Sequence, residues 1–340
     1  MRPSNLPNRF SWWLATAVQS STRRGFPILF CRSIMLIPRL KRLEKNKSDL
    51  LLDARDVLRG ISRTIYGNRN TRKAILQLHS RHNALSDSLA NVLDAVTKNV
   101  FSAEEKEWIE KIEFLRKELL GSSTMISVMD YGAGLPASVR TPEDMYQGRR
   151  VTTTVREICR TSSVPLRKAL LLFKLVREFK PSTCLELGTA LGISTAYQAA
   201  ALELNQHGRV FTCEGAESLA SSAEENFERL GLENVSVRVG RFQDILGDLL
   251  REIGHLDFGF MDGHHEEQAT LAYFKQLCPY LTANSVLVLD DISWSRGMRR
   301  AWDSIAADER TAISADLMRA GVCIITSSPV EKISIRMPLY

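Results

Sequence analysis

Two glycines, four residues apart, stand between an apolar run and the start of an amphipathic segment. The stretch reads Glu186-Leu187-Gly188-Thr189-Ala190-Leu191-Gly192-Ile193-Ser194. Glycine lets the backbone bend sharply and approach a ligand closely, and the first N–H groups of a helix attract negative or polar groups. The spacing is not that of the G-x-G-x-x-G dinucleotide pattern, because three residues separate Gly188 from Gly192. The segment predicts a ligand-binding turn between a strand and a helix.

An acidic residue and an aromatic–amide pair follow the next two apolar runs. Glu214 ends the first of these runs, where a carboxylate can accept hydrogen bonds from both hydroxyls of a ribose. Phe242 and Gln243 follow the second and can face a purine ring. The glycine turn contains no Lys or Arg that would neutralise a phosphate. Together the three strand ends predict a nucleoside pocket without a phosphate site.

Three carboxylates and two histidines follow the next apolar runs, as Asp262-Gly263-His264-His265 and Asp290-Asp291. Carboxylates at one edge of a parallel sheet repel one another unless they bind a cation or share protons, and oxygen ligands suit Mg²⁺. The two adjacent histidines do not predict zinc, because no Cys or third His has a suitable spacing. The alternative is that the Asp residues only cap the helices that follow them.

Strands and helices that could position these residues alternate after residue 182, which predicts a parallel sheet covered on both faces. Helices are expected to begin near Ser194, Leu219, Gln243, Glu267 and Gly297. The fold class is therefore α/β: a doubly wound, Rossmann-like sheet of seven strands, preceded by an α-helical N-terminal region. The predicted strands are 183–187, 210–214, 235–239, 258–262, 286–290, 322–326 and 333–336.

The chain divides into three predicted regions: residues 1–43, basic and poorly ordered; residues 44–124, helical; and residues 125–340, the sheet domain. In the helical region, Ser102 and Glu105 have the spacing of a capping box. These helices are expected to form a bundle or a homodimer surface. The stretch from 121 to 164, with the glycines of 130–134, is interpreted as a linker or lid.

Charge and composition exclude several classes of protein. The net charge is +6, but residues 1–43 hold eight basic residues and no acid, which leaves −2 for the rest. A folded domain of that charge does not predict nucleic-acid binding. The apolar run 26–38 is interrupted by Arg32 and is shorter than the roughly 20 residues of a membrane span. Six scattered cysteines fit a reducing, cytoplasmic setting, or an organelle if residues 1–35 are a transit peptide.

The sequence resembles a class I S-adenosylmethionine (SAM)-dependent methyltransferase of the small, catechol O-methyltransferase-like type. The resemblance rests on ELGTALGIST, Glu214, GRFQDIL, MDGHH and LDDISW, and covers about residues 125–340. It implies that Glu214 holds the ribose of SAM, that Phe242 and Gln243 hold the adenine, and that Ser194 holds the methionine carboxylate. The other cofactor-binding residues implied are Glu186, Gly188, Thr189, Gly192 and Asp262.

The resemblance also implies Mg²⁺ on Asp262, Asp290 and Asp291, which would lower the pKa of an acceptor hydroxyl. His265 stands where the catechol enzyme has its catalytic Lys, and it is expected to take the proton, with Asp262 as the second catalytic residue. The expected substrate is a small molecule or glycan with a hydroxyl group. The alternatives are a nicotinamide-dependent oxidoreductase and a nucleoside-binding interaction protein without turnover. Trp294 and Trp302 either shape the acceptor pocket or pack the next helix.

Overall fold

The computed structural model describes residues 69–131, 147–326 and 331–339. The predicted basic segment 1–43 lies outside the described residues, as do residues 132–134 of the glycine-rich segment. The helical prediction is confirmed from residue 69 to residue 121. A helix at 69–79 (α1) is followed by α2 (Ala84–Lys98) and α3 (Ala103–Gly121). The predicted capping box begins α3, since Ser102 accepts a hydrogen bond from the Glu105 amide and the Glu105 carboxylate accepts one from the Ser102 amide.

The remaining elements alternate between strand and helix after a short hairpin. They are β1 (Met125–Asp130), β2 (Arg149–Thr154), α4 (Val155–Ser162), α5 (Leu166–Phe179), β3 (Thr183–Leu187), α6 (Ile193–Asn205), β4 (Arg209–Glu214), α7 (Glu217–Leu230), β5 (Val235–Val239), α8 (Phe242–Ile253), β6 (Leu256–Met261), α9 (Glu267–Leu277), β7 (Leu281–Asp290), α10 (Arg296–Ala307), β8 (Thr311–Asp316), β9 (Ala320–Ile325) and β10 (Ile333–Arg336).

The main sheet has the strand order β10-β8-β9-β7-β6-β3-β4-β5. The five strands from β7 to β5 are parallel, and β9 runs antiparallel to both of its neighbours. The carboxyl ends of β3, β4, β6 and β7 therefore lie at the same edge of the sheet. In open α/β sheets, ligands bind outside this edge.

Helices cover both faces of the sheet, as the doubly wound prediction requires. Side chains alternate along β7: Val286 and Val288 belong to one buried cluster, and Leu287 and Leu289 to the other. The first cluster also contains the apolar sides of α5, α6 and α7 together with those of α1 to α3. The second contains α8, α9 and α10. Because α2 packs on α5, and α3 on α4 and α6, the N-terminal helices share a core with the sheet.

Two parts of the sequence prediction are wrong. The sheet has eight strands, not seven, because β8 was missed: its residues, TAISAD, are mostly small and carry a weak strand signal. The described part of 121–164 is not a simple linker. It contains the antiparallel pair β1–β2 and the helix α4. These elements rest on the sheet domain, since α4 packs on α3 and β1 on α7.

Candidate active site

The glycine turn after β3 packs so closely against neighbouring residues that neither of its glycines has room for a side chain. Gly188 has φ +112°, and a Cβ placed on it would lie 2.1 Å from the carbonyl oxygen of Asp262. Gly192 has φ +81°, and its Cβ would lie 2.6 Å from the Phe227 ring. Gly192 is also the N-cap of α6, and no side chain from the described residues caps this helix. The N–H groups of its first turn are thus available to a ligand, as the sequence predicts.

Glu186 lies beneath the turn rather than on its surface. The carboxylate is fully buried and accepts hydrogen bonds from the Thr195 hydroxyl, from Gln198 Nε2 at 3.0 Å and from Thr212 Oγ1 at 2.8 Å. Burial raises the pKa of Glu186 to about 7, against the effect of these hydrogen bonds. Its contacts tie β3 to α6 and β4. A direct contact between Glu186 and a cofactor stays a prediction.

Thr189 and Ser194 are also largely enclosed by the polar network under the turn. Thr189 is 1% exposed, and its hydroxyl lies 2.6 Å from the Thr212 hydroxyl. Ser194 is 5% exposed, and its side chain lies near the Glu186 carboxylate, whose negative form it favours. The backbone amide of Ser194, in the first turn of α6, is therefore the better candidate for binding a carboxylate than its hydroxyl.

Glu214 lies at the end of β4 and reaches across to the glycine turn. Its carboxylate accepts hydrogen bonds from the amides of Ala190 and Ala216, each at 2.9 Å. Burial raises its pKa. A carboxylate has about four lone-pair positions, so the amides around Glu214, that of Gly215 included, do not exhaust its capacity to accept from a ligand hydroxyl. Tyr131 lies close by: a Cβ on Gly215 would lie 2.9 Å from the Tyr131 ring.

Phe242 and Gln243 begin α8, where the sequence predicts an adenine contact. The Phe242 ring packs edge-on against Tyr273, with 5.8 Å between the ring centroids, and a Cβ on Gly263 would lie 2.5 Å from it. Gln243 accepts a hydrogen bond from the Tyr273 hydroxyl at 3.5 Å. The same hydroxyl lies 2.9 Å from Nδ1 of His264. Tyr273 therefore joins the β5 and β6 ends of the site.

The three carboxylates predicted at the β6 and β7 ends lie together. Asp262 and Asp290 lie close enough for their charges to act on each other. Burial and the negative charge of Asp290 hold the pKa of Asp262 well above its usual range. Asp290 is 4% exposed and also accepts a hydrogen bond from the Asp291 amide at 2.7 Å. Carboxylates held this close repel one another unless a cation or a proton compensates them.

A lysine that the sequence analysis did not single out completes this cluster. Lys168 of α5 forms an ion pair with Asp290, and its Nζ lies 3.8 Å from Oδ1 of Asp291. The signal that could have found it is its position on the apolar side of α5, four residues before Leu172 and seven before Leu175. A lysine among buried apolar side chains needs a partner of opposite charge.

The histidines and tryptophans take different positions around the carboxylates. His265 Nε2 lies 3.7 Å from Oδ1 of Asp262, and the His265 ring centroid lies 6.4 Å from that of Trp294. Burial lowers the pKa of His265, which favours the neutral imidazole. Trp294 is 49% exposed. Trp302 is buried against Gly321, so it packs α10 and does not line the site.

As folded, the carboxylate cluster does not fit a magnesium site. Mg²⁺ requires near-octahedral oxygen ligands at 2.0–2.1 Å, whereas the ammonium of Lys168 contacts Asp290 and adjoins Asp291. Among the residues that the structure describes, no group of three or more His, Cys, Asp or Glu side chains is arranged to hold a metal ion. Within the same part of the chain, no helix is long and apolar enough to cross a membrane.

Comparison with known proteins defines the class of this domain. Residues 185–292 match a protein family described as a methyltransferase domain. This range begins in β3 and ends just after β7, so it contains every strand end of the candidate site. Residues 185–292 are therefore similar to methyltransferase domains, and the motifs within them resemble those of the small O-methyltransferase type.

The similar curated sequences are catechol O-methyltransferases. The protein from Niastella koreensis is 34% identical over 110 residues, which cover 32% of this chain and 48% of the relative. The protein from Mus musculus is 27% identical over 128 residues, which cover 37% of this chain and 48% of the relative. The matches thus span about half of each relative.

This chain is also similar to a solved structure, at a lower sequence identity than to the catechol O-methyltransferases. An O-methyltransferase from Streptomyces achromogenes, involved in tomaymycin synthesis and solved in complex with SAM, is 25% identical. The alignment covers 49% of this chain and 83% of that one, with a TM-score of 0.43.

Proposed function

We propose that the protein is a SAM-dependent methyltransferase that methylates a hydroxyl group of a small molecule or glycan. The observation that carries the proposal is the position of Glu214, whose carboxylate accepts a hydrogen bond from Ala190 in the glycine turn that leads into the first turn of α6. A ribose between them would meet a hydrogen-bond acceptor, and a carboxylate would meet free N–H groups. These are the two polar ends of a nucleoside amino acid.

The charges of the site favour a cationic cofactor over a phosphorylated one. Glu214 accepts a hydrogen bond from Ala190 of the glycine turn, and the turn contains no Lys or Arg. A negative side chain attracts a positive sulfonium and repels phosphate. When bound, SAM supplies a methyl group on a positively charged sulfur, which is the electrophile of the reaction. The electrostatics therefore support SAM over a nicotinamide dinucleotide.

The residues at the β6 and β7 ends are proposed to hold the acceptor and receive its proton. His265 has a lowered pKa, so its neutral imidazole can take the proton of an acceptor hydroxyl as the oxygen becomes nucleophilic. The C–O bond forms as the C–S bond breaks, and the sulfur keeps the electron pair. Trp294 and Asp262, which flank His265, would orient the acceptor. Such positioning supplies most of the rate in a direct transfer.

Magnesium assistance, which the family resemblance implies, fits the proposal less well. Asp262, Asp290 and Asp291 are the expected ligands, but Asp290 pairs with Lys168 in the folded protein. No step of the proposed mechanism is therefore routed through a metal ion.

Isothermal titration of the full chain with SAM and with S-adenosylhomocysteine (SAH) tests the proposal. We expect micromolar binding of both, and about tenfold weaker binding in Glu214→Gln, which removes the charge and one ribose acceptor. Glu217→Gln is the matched control, because Glu217 is an exposed acid three residues further on, and its affinity should not change.

The same titration distinguishes the alternatives. If neither SAM nor SAH binds, the methyltransferase proposal is wrong. Binding of NAD⁺ or NADP⁺ instead would then indicate an oxidoreductase, and binding of no nucleotide would indicate an interaction protein. If SAM binds, hydroxyl-containing acceptors can be screened by SAH formation and by addition of one methyl group in the mass spectrum.

Dimerisation through the N-terminal helices is also proposed, on the evidence of exposed apolar side chains. Phe114 and Leu120 of α3 are 65% and 39% exposed, and Met125 of β1 is 61% exposed. Large apolar side chains that are grouped on a surface commonly mark an interface. Light scattering of wild type and Phe114→Glu would show a dimer that the charge disrupts, or a monomer in both cases.

A further inference from the structure

Lys168 stands out because it is a lysine among buried side chains. It is 9% exposed and lies on the side of α5 that faces the core, where its neighbours one and two turns away are Leu172 and Leu175. Burying an ammonium group costs several kcal/mol unless charged partners compensate. The charged partners of the Lys168 ammonium therefore explain why a lysine is found on this side of the helix.

The ammonium of Lys168 contacts the carboxylates that the sequence predicts as metal ligands. It pairs with Asp290 and lies 3.8 Å from Oδ1 of Asp291, and its positive charge also acts on Asp262. A divalent cation bound by these carboxylates would have to lie within about 2 Å of their oxygens. An ammonium and a bare divalent ion cannot both occupy that space, and their charges repel.

We propose that the ammonium group of Lys168 takes the place of the divalent cation among Asp262, Asp290 and Asp291, so that this site works without bound Mg²⁺ or Mn²⁺. The inference rests on the proposed function in one respect: the proposed function makes this edge of the sheet the part of the site that binds the acceptor. The lysine compensates the carboxylates permanently, because it is part of the chain. It leaves no set of three carboxylates free to chelate a metal.

A tethered cation would act on the acceptor through position rather than through Lewis acidity. An ammonium has three N–H donors, and the hydrogen bond to Asp290 uses one of them, so that others remain for an acceptor oxygen. In this arrangement Lys168 would stabilise negative charge on that oxygen. The acceptor proton is then taken by His265. Catechol O-methyltransferase, which the sequence resembles, has a lysine at the position of His265.

Titration with Mn²⁺, followed by the electron paramagnetic resonance signal of the free ion, tests this directly. The full-length wild type is compared with Lys168→Gln and with Lys275→Gln, an exposed lysine of α9 that serves as the matched control. Wild type and Lys275→Gln should bind no stoichiometric Mn²⁺ at sub-millimolar concentration. Lys168→Gln should gain one site, bound at least about tenfold more tightly than any wild-type site.

Two results would overturn the proposal. One is stoichiometric, micromolar Mn²⁺ binding by wild type that Asp290→Asn abolishes, since the lysine would then coexist with a metal. The other is a folded Lys168→Gln variant that binds no Mn²⁺, since the lysine would then not be what excludes it. If Lys168→Gln is unstable, the unfolding temperature is measured with Mn²⁺, which binds and stabilises only the folded form. Failure of Mn²⁺ to raise it also contradicts the proposal.

None of these measurements uses SAM or an acceptor, so their failure and that of the proposed function are distinguishable. A protein that binds no SAM can still gain a Mn²⁺ site in Lys168→Gln. A protein that binds SAM can still prove to hold a metal in the wild type.

Discussion

At the ends of β3 and β4 the candidate site is made mostly of backbone, whereas at the ends of β6 and β7 it is made of charged side chains. The first half consists of the glycine turn and the first turn of α6, with Glu214 across from them. The second half consists of three carboxylates and the ammonium of Lys168. The halves meet where Gly188 touches the carbonyl oxygen of Asp262.

The two halves should therefore fail in different ways. A backbone site is sensitive to the volume of any added atom and to the φ angles of its glycines. A charged site is sensitive to the balance of charge, because an unpaired buried ion is costly while a neutral replacement of the whole set is not. Substitutions that separate volume from charge can test this comparison, and the following ones are ordered by the size of the expected effect.

Gly188→Ala should have the largest effect. The new Cβ would lie 2.1 Å from the Asp262 carbonyl oxygen, in a backbone conformation with φ +112° that disfavours side chains. We expect the free energy of unfolding to fall by about 5 kcal/mol or more, and SAM binding to be lost, as measured by urea denaturation and titration calorimetry.

Gly231→Ala measures the cost of a side chain at a positive φ angle without a steric clash. Gly231 ends α7 with φ +72°, but no atom lies within 4 Å of its Cβ position. Its substitution should cost only about 1 kcal/mol. Equal losses in the two variants would mean that the backbone angle, and not the contact between the two halves, makes the glycine necessary.

Lys168→Met should have the next largest effect, because it leaves the carboxylates without their cation. Breaking a buried ion pair by removing one partner costs about 3 to 5 kcal/mol. Lys98→Met is the control, because Lys98 pairs with Asp94 on the surface at 2.7 Å and such pairs contribute about 0.5 kcal/mol. Both variants are compared by thermal denaturation. Similar losses of stability in the two would contradict the charge-balance argument.

The two halves of the site also differ in how far the sequence predicts them. Gly188, Gly192 and Glu214 lie within one strand–turn–helix unit and the next strand, so local spacing was enough to find them. The carboxylates were also found, because each follows its own strand. Lys168 comes from a helix before the sheet, and only the packing of α5 brings it to Asp290. Likewise β8 pairs with β9 and β10 through long-range contacts that its small residues do not signal.

Glu186→Gln tests the support beneath the backbone half through pH. The pKa of Glu186 is raised to about 7 in the folded protein, above its ordinary value of 4.5. The folded state thus binds this proton more tightly than the unfolded state. The contribution to stability is complete below about pH 4.5 and is lost as the pH rises through about 7, a fall of about 3 kcal/mol.

The glutamine variant should lack this part of the fall, as measured by urea denaturation at several pH values from about 5 to 8. Asp262, whose pKa is also raised, contributes a fall of the same sign to both proteins, and a smaller one in the variant, because the charge of Glu186 is one cause of that shift. The difference between the curves therefore contains the proton of Glu186 and its effect on Asp262. Parallel curves for wild type and variant would show that Glu186 is ionised in the folded protein throughout this range.

Trp294→Ala should have the smallest effect on stability and still distinguish the halves. The side chain is 49% exposed, so its removal should change the free energy of unfolding by no more than about 0.5 kcal/mol. Because Trp294 lies beside His265 and away from the glycine turn, SAM affinity should stay unchanged while the KM for an acceptor rises about tenfold. Leu76→Ala, which removes a 58% exposed apolar side chain from α1, should change neither the SAM affinity nor this KM. An equal loss of SAM affinity in Trp294→Ala would mean that the two halves form a single binding surface, and that the boundary at Gly188 and Asp262 divides the architecture but not the function.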